Sequence, residues 1–215
     1  MYERIIIVGG GGFGRELVSH VGDAHRAGML APLGGYLDDG GDVMSAFGHY
    51  GHVPYLGTLD AYVPQPGDLL TLAIGAPRTK KLVAERLKVR GARFATVIHP
   101  SAITSPTCRM GEGVIVGTHA GPGVDTVLGD FVTINSYSGV GHDAVIGAYT
   151  TLSGHVDVTG GTLIGEGVFV GSNASILPRV KIGDWASIGA GSIVYRTIRA
   201  GATVYASPAK LLKKS

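Results

Sequence analysis

From Leu128 onward an aliphatic side chain returns at every sixth position for twelve consecutive steps. The series is Leu128, Ile134, Val140, Ile146, Leu152, Val158, Ile164, Val170, Ile176, Ile182, Ile188 and Val194. A period of six fits neither the 3.6-residue helix nor a free-standing alternating strand. It fits a solenoid in which each hexapeptide forms one flat face and three faces close one coil. The aliphatic residue is expected to point inward. The fourth residue after it is small or β-branched (Ser138, Ala144, Thr150, Thr162, Ala174, Ala186), which lets neighbouring faces meet at a corner. The glycine that often follows the aliphatic (Gly129, Gly141, Gly147, Gly165, Gly171, Gly183, Gly189) is expected to relax the turn. The phase extends backwards through Ile98, Thr104, Met110, Val116 and Pro122, so degenerate first coils are predicted there. Beyond Arg199 the register is lost; Ser207-Pro208-Ala209-Lys210 should break the coil, and Lys210–Lys214 could add a helical cap.

Upstream the pattern changes. Residues 4–8 (Arg-Ile-Ile-Ile-Val) read as a buried parallel strand, followed by the glycine run 9–14 and a helix from Arg15 to about His25. Further strands are expected at 35–37, 69–74 and 94–98. A helix is expected over Arg78–Arg90, with Leu82, Val83, Leu87 and Val89 on or near one face. Residues 40–68 read mostly as loop. Strands alternating with helices predict a small parallel α/β unit. The division is therefore 1–98 for an α/β domain and 99–215 for a parallel β-helix domain with its C-terminal cap.

Composition narrows the function classes. The 215 residues are 45% hydrophobic, yet no run of about eighteen apolar residues could span a membrane. The N-terminus lacks the layout of a signal peptide, and a single cysteine, Cys108, suits a reducing cytoplasm. A net charge of +2 without a basic stripe argues against nucleic acid as a partner. The eight histidines show no spacing for a metal site.

Two places could carry chemistry. Gly9, Gly11 and Gly14 satisfy G-x-G-x-x-G between a strand and a helix, and Asp38-Asp39 ends the next strand. Phosphate would sit on backbone amides at the helix N-terminus. A dinucleotide, a nucleotide sugar or a purely structural tight turn are all compatible with this loop, although the α/β part is short for a full dinucleotide fold. The second place is Val140-Gly141-His142-Asp143, where a histidine two places past an inward aliphatic approaches a corner and has an acidic neighbour to hold it. Such a pair suits a general base. His155 is the nearest rival, read as occupying a similar corner one coil on; His119 sits in a degenerate coil, and His99 should pack or cap at the solenoid start.

The segments "IIIVGGGGFGREL", "AIGAPRTKK", "GHDAVIGAYTTLSGHV" and "GEGVFVGSNASILPRVKIGDWASIGAGSIV", in this order, resemble the NeuD/PglD-type sugar acyltransferases over nearly the whole chain. The resemblance implies a Rossmann-like nucleotide-sugar domain followed by a left-handed parallel β-helix. It also implies a cytoplasmic homotrimer with acetyl-CoA in the groove between adjacent solenoids and no metal. His142 matches the family's catalytic base and Asp143 the acidic residue behind it. Gly11, Gly12, Phe13, Asp38, Asp39 and Gly75 match sugar-nucleotide contacts, and Thr151, Gly160 and Ser172 match contacts to the pantetheine arm. Phe13 stands where the family commonly has histidine, as does Thr151. The implied activity is acetyl-CoA-dependent acetylation of the amino group of a nucleotide-linked amino sugar, for cell-surface glycans. Alternatives are O-acetylation of a sugar hydroxyl, as on a sialic acid, or a non-catalytic solenoid used for assembly.

Overall fold

The computed structural model describes residues 3–206. The expected coil break at 207–210 and the cap at 210–214 lie outside the described residues.

The N-terminal part has the elements β1 (Arg4–Val8), α1 (Gly12–Arg26), β2 (Leu33–Leu37), β3 (Asp68–Leu72) and α2 (Pro77–Val89). The three strands are parallel in the order β2-β1-β3. Successive connections therefore leave β1 on opposite sides. That places the loops after β1 and after β3 together at the C-terminal edge of the sheet, where open α/β sheets bind ligands. Helix α1 begins at Gly12, three residues before the expected start, because the glycine run itself enters the first turn.

Two expectations for this part need correction. Residues 94–98 do not form one strand: Phe94 makes only an isolated bridge to Leu70, whereas β4 (Val97–Ile98) pairs with Ile115–Val116 of the solenoid. The chain thus passes from one sheet to another within three residues. Helix α2 does not bury its Leu82 and Val89, which are 67% and 89% exposed. The side facing inward carries Pro77, Lys80, Ala84 and Leu87 instead. This spacing of three to four residues is one helix stripe, so burying Ala84 and Leu87 carries Lys80 inside with them.

Residues from β4 onward form a parallel β-solenoid with three faces. The first face stacks Val97–Ile98, Ile115–Val116, Thr133–Ile134, Thr151–Leu152, Phe169–Val170, Ser187–Ile188 and Thr203–Val204. The second stacks the strands from Gly121–Pro122 to Ile193–Val194, and the third those from Arg109–Met110 to Lys181–Ile182. Strands in register are 18 residues apart, as in Thr133↔Thr151↔Phe169, up to the last coil, where Ser187↔Thr203 are 16 apart. The inward aliphatics Leu128 through Val194 form one continuous core with the small corner residues Ala144, Ala174 and Ala186.

The glycines after the aliphatics do not supply the turn. The left-handed position is two residues past those glycines, three past the aliphatics, where His119, Asp125, Phe131, Tyr137, Asp143, Tyr149, His155, Asn173, Arg179 and Trp185 all take φ between 52° and 61°. Each such residue costs about 1 kcal/mol against its usual conformation, offset by coil-to-coil hydrogen bonds such as Gly161 N to His142 O at 2.8 Å. The glycines are needed because coils lie on one another. A Cβ on Gly129 would come within 2.6 Å of Ala148 N, and one on Gly141 within 2.7 Å of Gly160 N.

The α/β part lies on the first face and shares its core with it. Leu70, Leu87 and Phe94 pack with Phe131, and Ile5, Ile7 and Leu17 pack with Val97 and Ile115. Among the described residues, no helix is long and apolar enough to cross a membrane.

Candidate functional site

His142 and Asp143 occupy the turn between the second and third faces. His142 Nδ1 lies 2.7 Å from Asp143 Oδ2. An ionised carboxylate only accepts, so Nδ1 carries the proton and Nε2 keeps a free lone pair. The imidazole is 72% exposed and lies over Gly160 of the next coil, where a Cβ would meet Nε2 at 2.5 Å. Around it, Gly161, Pro178, Arg179 and Lys181 line an open depression of about 430 Å³. Among the described residues the Gly160 N–H enters no coil-to-coil hydrogen bond, although its neighbour Gly161 does. An exposed base, a free backbone donor and two cationic side chains at one corner can take a proton and hold an anionic ligand.

His155 does not share this corner. It lies between the first and second faces, stacked on Tyr137 with ring centroids 5.0 Å apart, and Tyr137 in turn contacts His119 at 5.2 Å. The residue one coil on from His142 is Gly160. His99 packs at the solenoid entrance, with Nε2 3.1 Å from Asp23 Oδ2 and Nδ1 2.8 Å from Ser101 Oγ. That contact holds the Asp23 carboxyl below its ordinary range.

The glycine loop divides into two kinds of position. Gly9 has φ +104°, a Cβ on Gly10 would strike Val43 and Tyr36, and one on Gly14 would strike the Gly9 carbonyl. These three are required by the fold. Gly11 and Gly12 are exposed at the start of α1, and an added Cβ there would meet nothing within 4 Å. Gly75 is likewise open. Space beside helix N-terminal amides is suited to an anion.

Of the acidic pair, Asp38 braces this loop from within, whereas Asp39 holds a different segment. Asp38 Oδ2 accepts from Gly10 N at 2.7 Å, and Asp39 Oδ1 accepts from Leu59 N at 2.8 Å. A depression of about 370 Å³ lies between the two structural parts: Phe13, Glu16 and Gly75 line one side, and Asn135, Thr151 and Ser153 the other. Next to it is a second hollow between Pro77 and Trp185, where Arg78 stacks over Trp185 at 4.9 Å, and Phe169 borders both.

The three expected pantetheine contacts are not together. Gly160 lies under His142, and Ser172 is exposed at the other corner that bounds the second face. Thr151 is 2% exposed on the first face, and its hydroxyl accepts from Lys80 Nζ at 2.7 Å. Its side chain is thus occupied within the subunit. The depression beside Phe13 and the His142 corner are also apart, with the second face of the solenoid between them. Among the described residues no group of three or more His, Cys, Asp or Glu side chains could hold a metal ion.

Sequence reasoning missed Lys80 and the aromatic columns. The columns were legible as aromatic or histidine residues 18 apart (119, 137 and 155; 131 and 149), and Lys80 as the partner of Ala84 and Leu87 on one helix stripe.

The coils and the histidine corner together define a hexapeptide-repeat solenoid with an exposed base. The family of bacterial transferase hexapeptide (six repeats) matches residues 161–196, so the chain carries the repeat of those transferases. Over 117 residues it is 32% identical to the UDP-N-acetylbacillosamine N-acetyltransferase of Bacillus subtilis (strain 168), a match spanning 53% of this chain and about half, 51%, of that protein. The acetyltransferase domain of PglB from Neisseria gonorrhoeae FA1090, solved in complex with acetyl coenzyme A, superposes with a TM-score of 0.83 at 28% identity, covering 99% of this chain and 100% of that one. PerB from Caulobacter crescentus, solved in complex with CoA and GDP-perosamine, gives a TM-score of 0.83 at 29% identity, covering 99% of each chain.

Proposed function

We propose that this chain is an acetyl-CoA-dependent N-acetyltransferase acting on the amino group of a nucleotide-linked amino sugar. The observation that carries the reading is the His142–Asp143 pair, exposed over Gly160, in a chain whose whole length follows the fold of proteins solved with acetyl-CoA or with CoA and a nucleotide sugar. N-acetylation is preferred to O-acetylation because the matched B. subtilis relative is a sugar N-acetyltransferase.

In this mechanism the amine attacks the thioester carbonyl while both substrates are bound. The new C–N bond forms, His142 Nε2 accepts the amine proton, and the C–S bond breaks to release CoA thiolate, which takes that proton from the imidazolium to leave as the thiol. Asp143 holds the imidazolium through Nδ1–H. The Gly160 N–H is the candidate donor to the developing oxyanion. No covalent acyl-enzyme is involved, since no serine, threonine or cysteine lines the depression around the base among the described residues.

The nucleotide sugar is assigned to the depression between Phe13 and Gly75 on one side and Asn135 and Ser153 on the other, with phosphate near Gly11 and Gly12. Asp38 shapes that loop, and Asp39 holds the segment at Leu59 beside it. Residues 1–98 then act as a Rossmann-like nucleotide-sugar domain, and residues 99–215 as a left-handed β-helix acetyltransferase domain. The sugar depression and His142 lie at opposite edges of the second face, so a neighbouring copy is needed to bring base and amine together. A homotrimer with acetyl-CoA between solenoids meets that need, with Gly160 and Ser172 contributed along the groove. The reading places the reaction in the cytoplasm, where acetyl-CoA and nucleotide sugars are both found. The test is thiol release from acetyl-CoA with a panel of UDP-, GDP-, dTDP- and CMP-linked amino sugars. Absence of release with every member of the panel would overturn it.

A further inference from the structure

Lys80 is the most deeply buried charged side chain in the described protein, at 1% exposure. Its Nζ lies 2.7 Å from Thr151 Oγ1, 2.9 Å from Thr133 Oγ1, 3.1 Å from the Phe131 carbonyl and 3.5 Å from the Thr150 carbonyl. No carboxylate is among these partners, so burial pushes the ammonium down to about 7. An apolar residue would pack there at far lower cost, as Ala84 and Leu87 do on the same stripe. A buried polar tie differs from apolar packing in one respect: it has direction, and a small slide between the surfaces breaks it.

The two surfaces it joins are the two walls of the depression assigned to the nucleotide sugar. Lys80 is one helical turn past Pro77, whose loop from Gly75 borders that hollow. Thr133 and Thr151 are paired residues of adjacent strands on the first face, and Thr151 itself lines the hollow. A single side chain therefore reaches from the α/β wall to two successive coils of the solenoid wall.

We infer that Lys80 is a positioning residue that sets the spacing and register of the two walls of the nucleotide-sugar pocket through Thr133 and Thr151. This rests on the assignment of that hollow to a nucleotide sugar. It separates Lys80 from the acetyl-CoA side of the reaction, because no residue of the His142 corner touches it.

The test compares the wild type, Lys80→Met and the triple variant Lys80→Met/Thr133→Val/Thr151→Val by calorimetric titration with acetyl-CoA and with the responding nucleotide amino sugar, beside thermal melts. Replacing both ends of a buried polar contact by apolar groups of similar shape recovers stability. Lys80→Met should weaken nucleotide-sugar binding about tenfold or more, the scale of one hydrogen bond to a charged group. Acetyl-CoA binding should stay within about twofold in all three proteins. The triple variant should melt close to wild type and still bind the nucleotide sugar weakly. If the triple variant regains both stability and sugar affinity, Lys80 is only packing and the inference fails. It fails equally if Lys80→Met binds the sugar normally, or if both ligands weaken together. If Lys80→Met does not fold, the triple variant decides alone. A wild type that binds acetyl-CoA but no nucleotide sugar would overturn the pocket assignment itself.

Discussion

The imidazole of His142 rests on Gly160, the residue 18 positions later, so closely that a Cβ there would lie 2.5 Å from Nε2. The imidazole is therefore placed from two sides, by Asp143 at Nδ1 and by an absent side chain beneath the ring. Unlike the glycines at positive φ, Gly160 has a backbone that alanine can adopt. Gly160→Ala should consequently fold and melt near wild type but lose on the order of a hundredfold in kcat, since displacing a catalytic group by about 1 Å has that effect. Thermal melts beside steady-state rates check this; a fully active variant would show that the ring need not sit there.

His142→Ala should lower kcat by roughly 10²–10⁴, the usual contribution of a general base, with acetyl-CoA affinity little changed. His155→Ala and His119→Ala should have far smaller effects, because those rings are stacked in a column at another corner. A larger loss in His155→Ala than in His142→Ala would reassign the base.

The glycine loop should separate binding from folding. Gly12→Val meets open space, so its melting temperature should hold while nucleotide-sugar affinity falls by about tenfold or more through lost access to the helix amides. Gly14→Ala meets the Gly9 carbonyl and should cost about 1–3 kcal/mol of stability. Titration with NADH should show no binding in any of these proteins; micromolar NADH binding without a response to nucleotide sugars would make this a dinucleotide site.

Lys80 should leave a mark on stability against pH. Its folded-state value is about 7, against 10.5 unperturbed. Between those values the unfolded chain holds a proton that the folded chain lacks, so raising the pH favours folding. The penalty for burying the ammonium is full below about pH 7 and declines toward pH 10.5, at up to about 1.4 kcal/mol per pH unit. Denaturant unfolding at about pH 7 and about pH 9 should show wild type gaining on Lys80→Met. An unchanged difference would place the ammonium at its ordinary value.

The proposed trimer rests on the separation of the sugar depression from the His142 corner. Sedimentation at micromolar concentration should give a trimer, and a fully active monomer would remove the shared site from the proposal.

The coil, its inward aliphatics and its small corner residues were all legible in the sequence, because a repeat of six imposes its own geometry: each residue faces the same neighbours one coil away. The same regularity made the His142–Asp143 corner visible. It did not reveal why glycine follows the aliphatics, since the turn and the coil-to-coil contact both favour glycine and only the backbone angles distinguish them. Lys80 lay beyond the sequence for a different reason. Leu82 and Val89 make the opposite side of α2 look apolar, and its actual inward stripe was decided by the surface it met, a solenoid face offering two threonine hydroxyls and two carbonyls. Periodicity is a local property of the chain, whereas the partner of a helix face, and the distance between a glycine loop and a histidine corner, arise only when separate elements pack.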